Sequence, residues 1–434
     1  MPVSAARLLI LLLAAGMSAA CAPPPAPTRQ APTTDSTKQP TLVPTPTLAA
    51  DFTGPKLLPA GDGSWQASGL FTNQSQTTVH APQLAVQLLD AQGNPLAEEL
   101  AVVGLPLLPP GATSPYQATF PPELSPEAAR LVIRSYAPSS GSHVPLAVEL
   151  VASYALPAGG SRVLGLIGVE GSRGAELAGL SLGLFEFGEL VAVSQSITGP
   201  LWLRPGEQAT FEAILPQAAA LDQLTAFAVA SAGRLPPPAL VEADLEPGVA
   251  FDEQGHPLLA GTLRNPAAMP AYVRLLVTVV VAGQPARVVE LASPIPLRPG
   301  ESRAFGLRLE DLPDSDDPDG FGVEITVEPL PDAGAAALAT LEPVIQSVEQ
   351  LAGSVFLRGS LANPTAFDVF DPTLFAALRT TDGELISAGW LPAAAELPAG
   401  GAIGFVLALP LPAGVDLALA EYDLQALAWR PAGG

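Results

Sequence analysis

Apolar side chains recur at every second position in short stretches along most of this chain. Val355, Leu357, Gly359 and Leu361 share one face of such a stretch, and Trp65, Ala67, Gly69 and Phe71 hold matching places far upstream. Phe321, Val323, Ile325 and Val327 alternate with Gly322, Glu324, Thr326 and Glu328. A period of two separates side chains onto the two faces of an extended strand, so these stretches predict half-buried strands. A second strand is predicted after each glycine-bearing one, at 84–89, 180–185, 273–281 and 374–378. Tight turns follow at Asp90-Ala-Gln-Gly93 and at Asp382-Gly383.

The strands belong to a repeat. Gly69-Leu-Phe-Thr-Asn73, Gly261-Thr-Leu-Arg-Asn265 and Gly359-Ser-Leu-Ala-Asn363 are versions of one motif, and Gly165 lies halfway between the first two, with Val169 in the Asn place. These glycines are 96, 96 and 98 residues apart. A second anchor follows each: Leu108-Pro-Pro-Gly111, Leu203-Arg-Pro-Gly206, Leu297-Arg-Pro-Gly300 and Leu397-Pro-Ala-Gly400. Five residues beyond each of these glycines stands an aromatic: Tyr116, Phe211, Phe305 and Phe405. A period near 95 exceeds a solenoid unit and suits a whole small domain. The mid-strand glycines mark close backbone approach or a bend. The Asn is expected to end its strand by tolerating a left-handed turn. At the second anchor Pro presets φ and Gly accepts a positive φ.

Composition narrows the fold. The 434 residues include 49 Pro and 40 Gly; inside a helix these cost roughly 3 and 1 kcal/mol, which rules out a helical bundle. Several short strands per repeat, bounded by Pro and Gly, predict an all-β chain of four tandem immunoglobulin-like β-sandwich domains at 51–140, 141–236, 237–332 and 333–434. The net charge is −23, with only two lysines, Lys38 and Lys56, and no run of basic residues. Nucleic-acid partners need a positive footprint, so that class is set aside.

The N-terminal segment carries an address. Arg7, the apolar run from Leu8 to Ala15 and the small residues Ser18, Ala19 and Ala20 predict a signal peptide over 1–20. Met17-Ser-Ala-Ala-Cys21 resembles the lipobox of bacterial lipoproteins, with Ser18 where the family prefers Leu, and Cys21 is the sole cysteine. The resemblance implies that Cys21 is lipidated and joins the exported protein to a membrane. Residues 21–50 then read as a disordered Pro/Thr-rich tether, favouring extended polyproline II. The signature Gly-x-x-x-Asn, then Asp-x-x-Gly, then Leu-x-Pro-Gly-x-x-x-x-Phe resembles FxLYD-type and related β-sandwich domains of bacterial surface lipoproteins. It covers 51–434, and the second repeat departs most, lacking the Asn and the Asp-x-x-Gly. The resemblance implies an exported accessory or adhesive module, held at the cell surface, and brings no catalytic residue.

Candidate chemistry is sparse. Gly179-Leu-Ser181-Leu-Gly183 matches the nucleophile elbow of serine hydrolases, but that chemistry needs a strand, a sharp turn and a helix, and the pentapeptide lies within a strand pattern. His80, His143 and His256 are the only histidines and are not clustered. The stretch 310–320 places Asp314, Asp316, Asp317 and Asp319 among six carboxylates without a base. Such an oxygen cluster would suit Ca²⁺; a solvated acidic loop is the other reading, and no other cofactor is expected. Trp65, Trp202, Trp390 and Trp429 raise a glycan-stacking alternative, although Trp65 alternates with core positions. The expectation is a non-catalytic stalk, scaffold or adhesion-type module with an unidentified envelope-protein or glycan partner.

Overall fold

The computed structural model describes residues 49–434 apart from 61–62, 234, 237–239, 311, 313–320, 331–336, 352, 416 and 431–434. Every strand ladder in it is antiparallel, and among the described residues helix is confined to the 3₁₀ turns Leu221–Gln223 and Leu417–Leu419. The chain is a series of four β-sandwiches built to one plan.

In each sandwich one sheet, called here the glycine sheet, places the glycine strand between an edge strand and the aromatic strand. In the second sandwich these are Ser161–Val169, Leu146–Ala155 and Gln208–Leu215. In the third they are Pro257–Arg264, Glu242–Phe251 and Ser302–Arg308, and in the fourth Ser354–Ala362, Glu342–Leu351 and Ala402–Pro410. The first uses Trp65–Asn73, the short edge strands Ala50–Phe52 and Lys56–Pro59, and Thr113–Phe120.

The opposing central sheet places a central strand between its hairpin partner and the closing strand. These are Thr78–Leu89, Pro95–Val103 and Ala128–Ser139 in the first sandwich, and Ala175–Glu186, Glu189–Val193 and Leu224–Ala232 in the second. They are Ala271–Val281, Gln284–Leu297 and Phe321–Pro329 in the third, and Val369–Thr380, Leu385–Pro392 and Ala420–Arg430 in the fourth. In the first sandwich Val102 and Val103 of the hairpin strand also pair with Gln117 and Tyr116, so its two sheets join. The central strands start earlier than their apolar cores suggest. The first, second and fourth carry a bulge, at Ala81-Pro82 and Asp371-Pro372 for example, which interrupts the periodicity; Ala81 and Asp371 take positive φ there.

The repeat anchors are one mechanism for locking the glycine sheet. Each mid-strand glycine lies directly opposite its repeat's aromatic: Gly69 with Tyr116, Gly165 with Phe211, Gly261 with Phe305 and Gly359 with Phe405. The ring lies over the glycine. A Cβ at Gly165 would sit 2.5 Å from the Phe211 ring and 2.6 Å from the Glu149 carbonyl, and the same two kinds of neighbour crowd Gly261 and Gly359. Of the two expected roles, close approach is therefore the one these glycines play. In the first sandwich the Tyr116 hydroxyl donates to the Thr53 carbonyl at 3.0 Å. Gly111, Gly206, Gly300 and Gly400 have φ between +66° and +77°, as the turn requires.

The Asn works differently from the expectation. Asn73, Asn265 and Asn363 are absent from the residues with positive φ; their side chains do the work. Asn265 Nδ2 donates to the carbonyls of Met269, Leu297 and Arg298, and its Oδ1 accepts from the Ala267 amide. Asn363 repeats this with Phe367, Leu397, Pro398 and Thr365. Asn73 does so with Thr77, Leu108 and Ser75. A buried amide therefore ties the glycine strand to the Leu-x-Pro-Gly turn, and this is why the two motifs recur together. Where Val169 replaces it, the strand meets the turn through a single bridge to Pro205.

Candidate functional site

The surfaces with the most chemistry are the junctions between sandwiches. All three are built alike: the outer face of the glycine sheet of one sandwich meets the outer face of the central sheet of the next. At the first junction Ser68 Oγ donates to the Leu190 carbonyl at 3.0 Å, and Lys56 pairs with Glu189. Phe227 and Val229 of the second sandwich pack into the core of the first. Contact is close enough that a Cβ at Gly104 would lie 2.6 Å from Ser181 Oγ.

The second junction is ionic and buried. Arg274 donates to the Gly199 carbonyl at 2.7 Å, to Glu328 at 3.0 Å and to Glu290 at 2.6 Å. Glu328 accepts from the Leu201 amide at 2.9 Å. Beside them Arg162 Nε lies 3.3 Å from Glu212, and Leu164, Leu276 and Val288 form an apolar cluster. Burial pushes the carboxyl of Glu328 above its ordinary range against the Leu201 amide and the Arg274 charge. Burial likewise raises Glu212, opposed by the Val288 amide and Arg162. Trp202 donates to the Pro329 carbonyl at 3.0 Å and borders a cleft of about 250 Å³, shared with Arg204, Glu207, Thr278 and Glu324.

The third junction is mostly small and apolar. Ala260, Ala377, Leu385 and Ala388 cluster with Ala304, and Gly306 lies against the backbone of Ala388, with no room for a side chain. The Arg303 guanidinium sits 4.2 Å over the Phe375 ring and 2.5 Å from Glu301. The rings of Tyr272 and Trp429 lie 4.9 Å apart, tilted by 32°, and Trp390 packs against the third sandwich's core.

One position recurs as a hub. The residue immediately after each aromatic faces outward and meets the hairpin strand of the following sandwich. Gln117 accepts from the Val193 amide at 3.2 Å, Glu212 accepts from the Val288 amide at 2.7 Å, and Gly306 meets Ala388. The fourth member of this series is Val406.

Several sequence candidates resolve here. Cys21 and the quartet Asp314, Asp316, Asp317 and Asp319 lie outside the described residues, and among the described residues no group of three or more His, Cys, Asp or Glu is assembled to hold a metal ion. Ser181 faces the first junction, with Ser194 Oγ at 3.5 Å, and belongs to a continuous strand rather than an elbow. His256 Nδ1 lies 3.1 Å from Asp252 across a turn and 2.8 Å from Arg308 of the aromatic strand. None of the four tryptophans is an exposed platform. Trp65 Nε1 donates to the Leu124 carbonyl within the first sandwich, and Trp202, Trp390 and Trp429 serve junctions. The junction residues Arg274, Glu212 and Arg303 went unrecognised in the sequence; the one available signal was their charge inside otherwise apolar strand runs.

No family model matches the sequence, and no curated protein matches it. Among solved structures the chain is similar to one titled "Biofilm associated protein - BSP domain", at 9% identity, covering 89% of this chain and 94% of that one, with a TM-score of 0.14. At that score the two molecules do not superpose as wholes, and the likeness carries no argument.

Proposed function

We propose that this is a non-catalytic cell-surface lipoprotein in which four stacked sandwiches serve as a scaffold or adhesion-type module on a Pro/Thr-rich tether. The observation that carries the reading is how the described reactive side chains are used. The tryptophans, His256, Ser181 and the buried Arg and Glu residues are engaged in holding sandwiches together or closing turns. Anchoring rests on the lipobox-like Met17 to Cys21 and on Cys21 being the sole cysteine; two acyl chains hold a protein to a membrane where one is marginal. In a bacterial host, labelled palmitate incorporates into the wild-type protein and not into Cys21→Ser, and globomycin blocks processing. Labelling that persists in Cys21→Ser would refute the anchor.

A second reading, a binder of glycan or another solute, is favoured by the cleft beside Trp202, whose rim of Arg204, Glu207, Thr278 and Glu324 offers donors and acceptors. Titration calorimetry with a panel of oligosaccharides decides it: heat lost in Trp202→Ala supports this reading, and no heat with any of them removes it. Calcium at Asp314, Asp316, Asp317 and Asp319 would raise the melting temperature in millimolar Ca²⁺ relative to chelator.

A further inference from the structure

We propose that a cleft at the first junction takes an extended peptide from a partner protein, added as a strand along the aromatic strand and carrying apolar and basic side chains in alternation. This goes beyond the lipoprotein reading and depends on neither the lipid nor the cleft beside Trp202. The cleft measures about 440 Å³ and is walled by both sandwiches: Leu100, Val102 and Glu99 from the hairpin strand, Thr119 from the aromatic strand, and Val193 and Gln195 from the second sandwich.

The cleft opens where a ladder stops. The hairpin strand pairs with the aromatic strand only at Val102 with Gln117 and Val103 with Tyr116, and then follows the central strand, with Leu100 opposite Ala85. Continued, the first register would bring Leu100 to Thr119, and the two are not partners. The Gly104 amide donates to the Pro115 carbonyl across this edge. Main-chain groups of a strand point to opposite edges at successive residues, so those of Thr119, four residues beyond Pro115, point into the gap. On its other side the aromatic strand is paired with the glycine strand as far as Phe120 with Trp65. An open edge of this kind takes another extended chain, whose main chain supplies the hydrogen bonds and whose alternate side chains supply the selectivity.

The wall residues define the peptide. Leu100 and Val102 are 66% and 73% exposed and, two residues apart, share one face of their strand. Covering an apolar side chain there removes both from water. Glu99 lies between successive wall positions on the opposite face, is exposed, and forms no ion pair among the described residues. Beside it, in a chain of net charge −23, a cation is attracted and an acidic peptide repelled. Apolar contact on one face and a carboxylate on the other are met by a strand that alternates apolar and basic residues.

A phage-displayed library of random decapeptides, selected on the exported chain carrying Cys21→Ser so that no acyl chain contributes, tests this. The expected result is enrichment of peptides in which apolar residues alternate with Lys or Arg. Followed by fluorescence polarisation, a synthetic copy of one loses binding to the double variant Leu100→Lys with Val102→Lys. N-methylation of its alternate amides abolishes binding in one phase and spares it in the other. Glu99→Gln weakens binding by up to roughly fivefold, as for an exposed ion pair. Melting curves matching the parent exclude unfolding of the double variant; should it melt lower, the N-methylated peptides on the parent decide instead. No enrichment, enrichment of acidic or proline-rich peptides, or undiminished binding to the folded double variant overturns the proposal. So does displacement by a synthetic peptide of residues 37–48, which would assign the cleft to the chain itself.

Discussion

Asn265 shows how much a single side chain carries. Its amide donates to three backbone carbonyls, that of Leu297 in a buried bond, and accepts one backbone N–H, and it is fully buried. Replacing it with Ala leaves the Leu297 carbonyl without that partner, at about 1–3 kcal/mol for an unsatisfied buried group. Asn265→Ala should therefore lower the urea midpoint by an amount corresponding to about 2 kcal/mol or more. Asn265→Asp should recover none of it, because a carboxylate cannot donate to carbonyls; full stability in either variant would contradict the latch. The recurrence of Asn was legible in the sequence but its role was not, because residue type and spacing do not tell a backbone preference from a side-chain hydrogen bond.

At the scale of the element, the second junction is where pH acts. Glu328 and Glu212 both have carboxyl groups raised above the ordinary glutamate range, chiefly by burial. The folded state then binds protons more tightly than the unfolded one between the ordinary glutamate range and the raised values. In that window stability falls as pH rises and is gained on acidification. The melting temperature should climb as pH is lowered towards the ordinary glutamate range, and Glu328→Gln should flatten the slope; an unchanged slope would assign the pH dependence elsewhere. The third junction makes a steric test. Gly306→Val has no space against Ala388, so it should part the fourth sandwich from the third while leaving both cores intact. Calorimetry should show an added transition in the variant, whereas the parent should melt in fewer than four transitions, since each junction shares buried residues between neighbours.

For the whole molecule, the decisive feature is the order in which faces pair. Sandwiches joined end to end through short linkers would leave every sheet face wet, and a stalk of that kind is compatible with the same repeat. Here the outer faces of the glycine sheets carry Ser68, Gln117, Leu164, Glu212, Ala304 and Gly306 into contact with the next central sheet. The net charge of −23 keeps such a molecule soluble; it leaves the junctions to local pairs such as Arg274 with Glu328.

The fold class and the number of repeats were determined by the sequence alone, because alternation, glycine, proline and aromatic spacing are local constraints written along the chain. The opposition of Gly359 and Phe405 was within reach for the same reason, since a fixed interval between two anchors fixes a register. What only the tertiary structure decided was contact across large separations: which carbonyls Asn265 satisfies, why Arg274 sits among apolar residues, and which sheet face meets which. Those outcomes depend on how two surfaces fit in space, and the outward-facing residues of a strand read as polar or small whether water or another sandwich lies against them.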